Sequence, residues 1–142
     1  MPKEIAYRIS ATATGGGRDG RARTEDGALD VQMVVPKDMG GPGGDGVNPE
    51  QLFATGYAAC FLGALRAHAG QKKVQVPQET SVTASVGIGP RADTGFALDV
   101  GIRVSLPGLD RDVAEDLIAG AHLICPYSDA ARNGFRVTPE LA

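Results

Sequence analysis

Residues 48–65 have the sequence NPEQLFATGYAACFLGAL. Asn48 suits the N-cap of a helix, and Pro49 suits its first helical position. Beyond them, apolar and small residues surround the whole helix, a pattern typical of a helix that is buried on all sides. The polar residues 66–73 that follow indicate that the helix then reaches the surface, with Gly70 as its predicted stop.

Three strands are predicted before this helix. Apolar and polar residues alternate over residues 5–14 and 29–35, which predicts strands with one buried face, and the polar residues 21–25 suit an exposed strand between them. The glycine-rich residues 15–20 form a turn. Residues 36–47 hold five glycines and are expected to form a long loop that serves a function or packs on a partner.

The pattern after the central helix predicts a hairpin, two helices and a last strand. Alternation indicates the hairpin strands, helical spacing indicates an amphipathic helix, and Pro126 separates that helix from a short second one. These elements cover residues 82–88, 96–106, 110–124, 126–132 and 135–137. The order of elements predicts an α+β fold, not a doubly wound α/β fold, in one domain over residues 1–142.

Composition excludes several function classes. The 142-residue chain has a net charge of −3 and no tryptophan, so it offers no basic or aromatic surface for nucleic acid. Its longest uncharged apolar stretch, residues 52–65, is too short to cross a bilayer. The N-terminus carries no signal-peptide pattern. We expect a soluble cytoplasmic protein that binds neither nucleic acid nor membrane.

The chain has two cysteines, Cys60 and Cys125, 65 positions apart. Cys60 lies within the apolar helix, where a small buried hydrophobe is the ordinary interpretation. Cys125 lies at a helix junction, and if it caps the second helix, unpaired backbone N–H groups would favour its thiolate. An ordinary cap or core residue is equally compatible with that position. The sequence permits a disulfide between the two cysteines but does not show one.

A zinc module is a further alternative, because His68 and His122 lie near the two cysteines in sequence. Two Cys and two His could form a tetrahedral site in principle. The usual zinc spacings are absent, so we expect no metal.

Four motifs in order resemble the organic hydroperoxide resistance proteins, the Ohr branch of the Ohr/OsmC family. The resemblance covers nearly the whole chain, and the turn before Cys60 and the segment after Cys125 favour the Ohr branch over the OsmC branch. The motifs are residues 13–20 (ATGGGRDG), 48–54 (NPEQLFA), 56–61 (GYAACF) and 125–128 (CPYS).

This resemblance implies antiparallel sheets wrapped around a buried central helix in an intertwined homodimer. It implies a peroxidase in which Cys60 attacks the peroxide, Cys125 resolves the product to a disulfide, and Arg18 with Glu50 provides polar support. It also implies organic hydroperoxides as substrates and no bound cofactor. The expected external reductant is a dihydrolipoyl group, usually carried on a lipoylated protein.

The expected chemistry explains these residue types. A buried thiol needs a nearby positive charge to ionise, which the Arg18 guanidinium can supply while Glu50 orients it. Glu50 and Cys60 lie about 15 Å apart along a straight helix. Either the helix bends or breaks near Thr55 and Gly56, or Arg18 and Glu50 come from the partner chain, and we predict the latter. The predicted pocket for the organic tail consists of Leu52, Phe53, Tyr57 and Phe61.

Two other functions remain open at this point. The first is a peroxidase of the OsmC branch with a broader choice of peroxides. The second is a non-catalytic carrier of small molecules that uses the apolar pocket and keeps its cysteines as structural residues.

Overall fold

The structure, a computed structural model, describes residues 1–142 and comprises two compact units, Met1–Phe53 and Ala54–Ala142. The long helix α1, Pro49–Lys72, begins in the first unit and continues in the second. The α+β class and the antiparallel sheets are confirmed. The single domain stays a prediction.

The first unit contains a three-stranded antiparallel sheet in the order β1-β2-β3. Thr14 pairs with Arg21 where β1 and β2 meet the glycine-rich turn, and Arg21 pairs with Gln32 of β3. All three predicted strands are therefore present, but they are shorter than predicted. Their ranges are Ala11–Thr14, Arg21–Thr24 and Asp30–Gln32.

The predicted buried face of β1 is wrong for the single chain. Residues 5–10 form no strand, and Ile5, Tyr7 and Ile9 are exposed. Alternation gives a strand one apolar face, but that face is buried only where another layer packs against it. The predicted long loop is confirmed, interrupted by a 3-10 helix at Lys37–Met39.

Helix α1 begins as predicted and ends two residues later than predicted. The Gln51 backbone N–H donates to the Asn48 side chain, and the Asn48 backbone N–H donates to the Gln51 side chain, which forms a capping box. The helix continues through Gly70 to Lys72, where it ends because Lys73 takes the left-handed conformation, with φ of 56°. The Lys73 N–H then bonds to the Gly70 carbonyl and closes the helix end.

One stripe of α1 is buried, not its whole circumference. The buried residues recur at every fourth position and therefore share one face: Tyr57, Phe61, Leu65 and Ala69. Thr55, Ala59 and Gly63 remain exposed. Because this second face of α1 is exposed, the prediction of a helix buried on all sides is wrong for the single chain.

The second unit continues with a hairpin of two ten-residue strands, β4 (Ser81–Pro90) and β5 (Phe96–Ser105). Helix α2 covers Arg111–Ile124, and helix α3 covers Pro126–Asn133. The predicted last strand at residues 135–137 is wrong, because residues 134–142 form neither helix nor strand. Three extended residues need a neighbouring strand to hold them.

Contacts along α1 show that α2 and α3 pack against it in the opposite direction. As the α1 positions rise, the partner positions fall, through the pairs Tyr57–Ser128, Cys60–Cys125, Phe61–His122 and Lys72–Asp116. A Cβ on Gly120 would lie 2.0 Å from His68 Nε2, so Gly120 leaves room for the His68 ring where α2 approaches α1. No helix in the structure is long and apolar enough to span a bilayer.

The end of α1 allows a test of its backbone strain. Replacing Lys73 with glycine should stabilise the fold by about 1 kcal/mol, because glycine adopts the left-handed conformation without a steric penalty. Thermal unfolding at matched protein concentration should show a midpoint about 3 °C higher. The control, Gln71→Gly in the helical last turn, should lower the midpoint. An unchanged or lower midpoint for Lys73→Gly would contradict the assignment.

Candidate active site

The two cysteines come together in the second unit. The Cys125 thiol donates to the Cys60 sulfur across 3.6 Å, although 65 residues separate them in the chain. Cys125 is fully buried, whereas Cys60 is partly accessible. A disulfide requires a sulfur separation of about 2.05 Å, so a small rearrangement would join the two.

The groups around Cys60 have opposing effects on the pKa of its thiol. Burial raises the pKa of Cys60, the backbone N–H of Tyr127 lowers it, and the neighbouring Cys125 raises it, so the net shift is upward. Within its own unit, then, this sulfur favours the protonated form. An ionised Cys60 at neutral pH requires a further positive influence.

Cys125 caps α3, as the sequence suggested, but its side chain makes no capping hydrogen bond. The suggestion that α3 acts on the Cys125 thiol stays a prediction. The backbone N–H of Tyr127, in the first turn of α3, acts on Cys60. Because the two sulfurs are 3.6 Å apart, the first turn of α3 lies beside Cys60 as well as Cys125.

Tyr57 and Ser128 share a buried hydrogen bond of 2.8 Å, which the sequence analysis did not predict. A signal for it was available, because a buried tyrosine hydroxyl usually has a partner. Tyr127 stacks obliquely on Tyr57, with ring centroids 5.6 Å apart. A Cβ on Gly56 would lie 2.8 Å from the Tyr127 hydroxyl, so Gly56 makes room for this ring.

The first unit contains the predicted pair of Arg18 and Glu50. The guanidinium donates two hydrogen bonds to the carboxylate, at 3.0 and 2.6 Å. This two-pronged geometry fixes the direction of the guanidinium more firmly than a single bond would. The arginine also approaches the Met39 sulfur at 3.9 Å, so the predicted functional loop contacts it.

The turn between β1 and β2 determines the position of Arg18. Gly17 has a φ of 73°, in the left-handed region. A Cβ on Gly20 would lie 1.9 Å from the Thr14 carbonyl oxygen, so only glycine fits this tight turn. The turn therefore presents Arg18 opposite the start of α1, where Glu50 lies in the first turn.

The Arg18 hydrogen bond holds the pKa of Glu50 below its usual range. A carboxylate with a depressed folded-state pKa contributes stability above its unfolded pKa of about 4.3. That contribution is lost as the pH falls through the folded value. Both partners are consequently charged at neutral pH.

An apolar cavity of about 310 Å³ opens in the second unit. Tyr57 and Phe61, two of the four predicted pocket residues, line it. The other lining residues are Val100, Ile102, Ile118, His122 and Ala131. Leu52 and Phe53 lie at the start of α1, and their role in binding stays a prediction. No group of three or more His, Cys, Asp or Glu side chains could hold a metal ion, so the zinc alternative gains no support from the geometry.

The chain matches one family model and is similar in sequence to named proteins. Residues 41–140 match the family model described as OsmC-like protein. An organic hydroperoxide resistance protein of Xanthomonas axonopodis pv. citri is 50% identical over 141 residues, covering 99% of this chain and 98% of that relative.

Two solved structures show the same fold. An organic hydroperoxide resistance protein from Elizabethkingia anophelis has a TM-score of 0.86 at 45% identity, covering 93% of this chain and 92% of that one. The protein OhrB of Bacillus subtilis has a TM-score of 0.80 at 38% identity, covering 91% of this chain and 93% of that one.

The contribution of Cys125 to the Cys60 titration is testable. Because Cys125 raises the pKa of Cys60, the Cys125→Ala variant should titrate at lower pH than Cys60 does in the wild-type protein. Thiolate absorbance against pH measures this, with Cys60→Ser providing the signal of Cys125 alone. An unchanged or higher Cys60 pKa in Cys125→Ala would contradict the prediction.

Proposed function

Because the chain belongs to the Ohr/OsmC family of OsmC-like proteins, we propose that it is a two-cysteine thiol peroxidase that reduces organic hydroperoxides to alcohols. The observation that carries the proposal is the 3.6 Å separation of the Cys60 and Cys125 sulfurs. An accessible cysteine beside a buried one is the arrangement that peroxide attack followed by internal disulfide formation requires.

The first step is attack by the Cys60 thiolate on the terminal peroxide oxygen. The sulfur–oxygen bond forms as the O–O bond breaks, and the alkoxide leaves with the electron pair and takes up a proton to become the alcohol. Cys60 is thereby oxidised to a sulfenic acid. Cys60 is the better attacking residue of the two, because Cys125 is fully buried.

The second step converts the Cys60 sulfenic acid to a disulfide. The Cys125 sulfur attacks the sulfenic sulfur, the S–S bond forms, and the S–O bond breaks with release of water. An external dithiol then reduces the disulfide by thiol–disulfide exchange. We propose a dihydrolipoyl group on a lipoylated protein as this reductant, and the cytoplasm as the reducing compartment in which the cycle operates.

The Arg18–Glu50 pair supplies the charge that Cys60 lacks in its own unit. Burial raises the pKa of Cys60, and a permanently charged guanidinium next to the sulfur would favour the thiolate. The same guanidinium would stabilise the departing alkoxide. We assign this role to the Arg18 of a second copy of the chain, since α1 runs unbroken between Glu50 and Cys60.

A homodimer accords with the apolar surface that one chain leaves uncovered. On β5, Phe96 is 68% exposed and Leu98 is 46% exposed, next to a partly exposed Val100. Contiguous exposed apolar side chains mark an interaction surface. The exposed small residues of α1 would also permit close approach of a second helix.

The apolar cavity beside Tyr57 and Phe61 suits the organic group of the substrate. Its volume of about 310 Å³ falls at the lower end of the range for small-molecule pockets. Hydrogen peroxide would bury almost no apolar area there, so the cavity favours organic over inorganic peroxide. Leu52 and Phe53 complete the proposed set of binding residues.

Counting thiols after one equivalent of cumene hydroperoxide tests the proposal. Wild-type protein should lose both thiols together, Cys125→Ser should lose one, and Cys60→Ser should lose none. A carrier with structural cysteines would keep two thiols in the wild-type protein and one in each variant, which would refute the peroxidase assignment. Comparing turnover with hydrogen peroxide separates the Ohr branch from the broader OsmC branch.

Mixing two inactive variants tests the position of the guanidinium. If Arg18 acts across the dimer, Arg18→Ala mixed with Cys60→Ser produces one intact site in each heterodimer, and random exchange restores roughly a quarter of wild-type activity. Each variant subjected to the same exchange alone is the control. Failure to recover activity, with heterodimers verified by mass, would favour sites formed within one chain.

A further inference from the structure

Cys125 is the only residue between two helices. Helix α2 ends at Ile124 and α3 begins at Pro126, and Cys125 serves as C-cap of the first and N-cap of the second. Its backbone N–H donates to the Ala121 carbonyl, and its carbonyl accepts from the Asp129 N–H, each at 2.9 Å. Any shift of α3 therefore moves the Cys125 sulfur with it.

Two sets of hydrogen bonds link α3 to its neighbouring helices, in addition to the Tyr57–Tyr127 ring contact. We name them together the α3 latch: the Tyr57–Ser128 hydrogen bond and the Arg132 hydrogen bonds to α2. The first ties α3 to α1 by a 2.8 Å bond between two buried hydroxyls. In the second, the Arg132 guanidinium donates to the carbonyls of His122 and Leu123 at the end of α2. Carbonyls at a helix C-terminus favour such a cation.

We propose that the α3 latch keeps Cys125 facing Cys60, and that Ser128 and Arg132 are positioning residues for disulfide formation. The proposal rests on the peroxidase function proposed above. Ser128 lies three residues after Cys125, in the first turn of α3, and Tyr57 lies three residues before Cys60 on α1. The hydrogen bond thus joins the two helices one turn away from the sulfurs.

The latch decides between two fates of the sulfenic acid. Cys125 can attack its sulfur, forming the disulfide and releasing water. Alternatively, the sulfenate attacks a second hydroperoxide, breaks its O–O bond and becomes a sulfinic acid, with a second molecule of alcohol released. Initial attack by Cys60 requires no movement of Cys125, and α3 acts on the attacking thiol through the Tyr127 N–H. Loss of the latch therefore slows the later step more than the first.

The Ser128→Ala variant tests this division. Loss of a buried hydrogen bond costs a free energy that corresponds to a roughly tenfold change in rate. Disulfide formation should therefore slow by about that factor, while peroxide consumption in the first turnover changes less than about twofold. The fraction of Cys60 sulfinic acid under excess cumene hydroperoxide should rise. Rapid quench with alkylation and intact-mass measurement follows all three quantities.

Two further variants keep the test decisive. Arg132→Gln removes the second contact at an exposed position and should show the same selective slowing to a smaller extent. Asn133→Ala is the matched control, because Asn133 is exposed on the same helix and its side chain bonds only within α3, to Asp129. It should leave the rate of disulfide formation and the sulfinic fraction as they are in the wild-type protein.

The outcomes separate this proposal from the one on which it rests. If the wild-type protein forms the disulfide, and Ser128→Ala and Arg132→Gln form it at the same rate, the role of the latch is overturned and the peroxidase function stands. Equal slowing of attack and of disulfide formation would also overturn it, since that pattern indicates general structural damage. Absence of a disulfide in the wild-type protein would overturn both proposals.

Discussion

The packing of α1 against α2 and α3 brings together two sulfurs that the chain separates by 65 residues. The helices run in opposite directions, so one contact after another pairs a later position on α1 with an earlier one on α2 and α3. Such packing is held largely by buried apolar side chains, Phe61, Leu65 and Leu117 among them. Each contributes about 1.5–3 kcal/mol by leaving water. The close approach of the Cys60 and Cys125 sulfurs is a consequence of that core.

The same core explains why ionisation of Cys60 at neutral pH requires a positive charge from elsewhere. Apolar packing around Cys60 opposes its ionisation, and the single backbone N–H that acts in the other direction does not reverse the shift. The Arg18–Glu50 pair, by contrast, is assembled by local structure alone, from a glycine turn and the first turn of a helix. A charge with a fixed direction is thus available in the chain without disturbing the core in which the sulfurs lie.

Several apolar surfaces are exposed in the single chain. Part of α1, much of β5 and the alternating residues near the N-terminus have the pattern of buried elements, yet one chain leaves them uncovered. Patterns of hydrophobicity indicate which faces can be buried, and a contiguous exposed apolar face marks an interaction surface. The errors in the predicted burial of α1 and β1 therefore share one origin.

The sequence by itself determined those features that depend on a few neighbouring residues. The Asn48 cap with its proline, the alternation of the β4–β5 hairpin, and the break between α2 and α3 at Pro126 were all predictable because caps, periodicity and proline act locally. Only the tertiary structure decided the sulfur separation, the Tyr57–Ser128 bond, the cavity and the helix end at Lys73. These depend on which surfaces meet across long stretches of chain, and side-chain packing in three dimensions, not local preference, selects them.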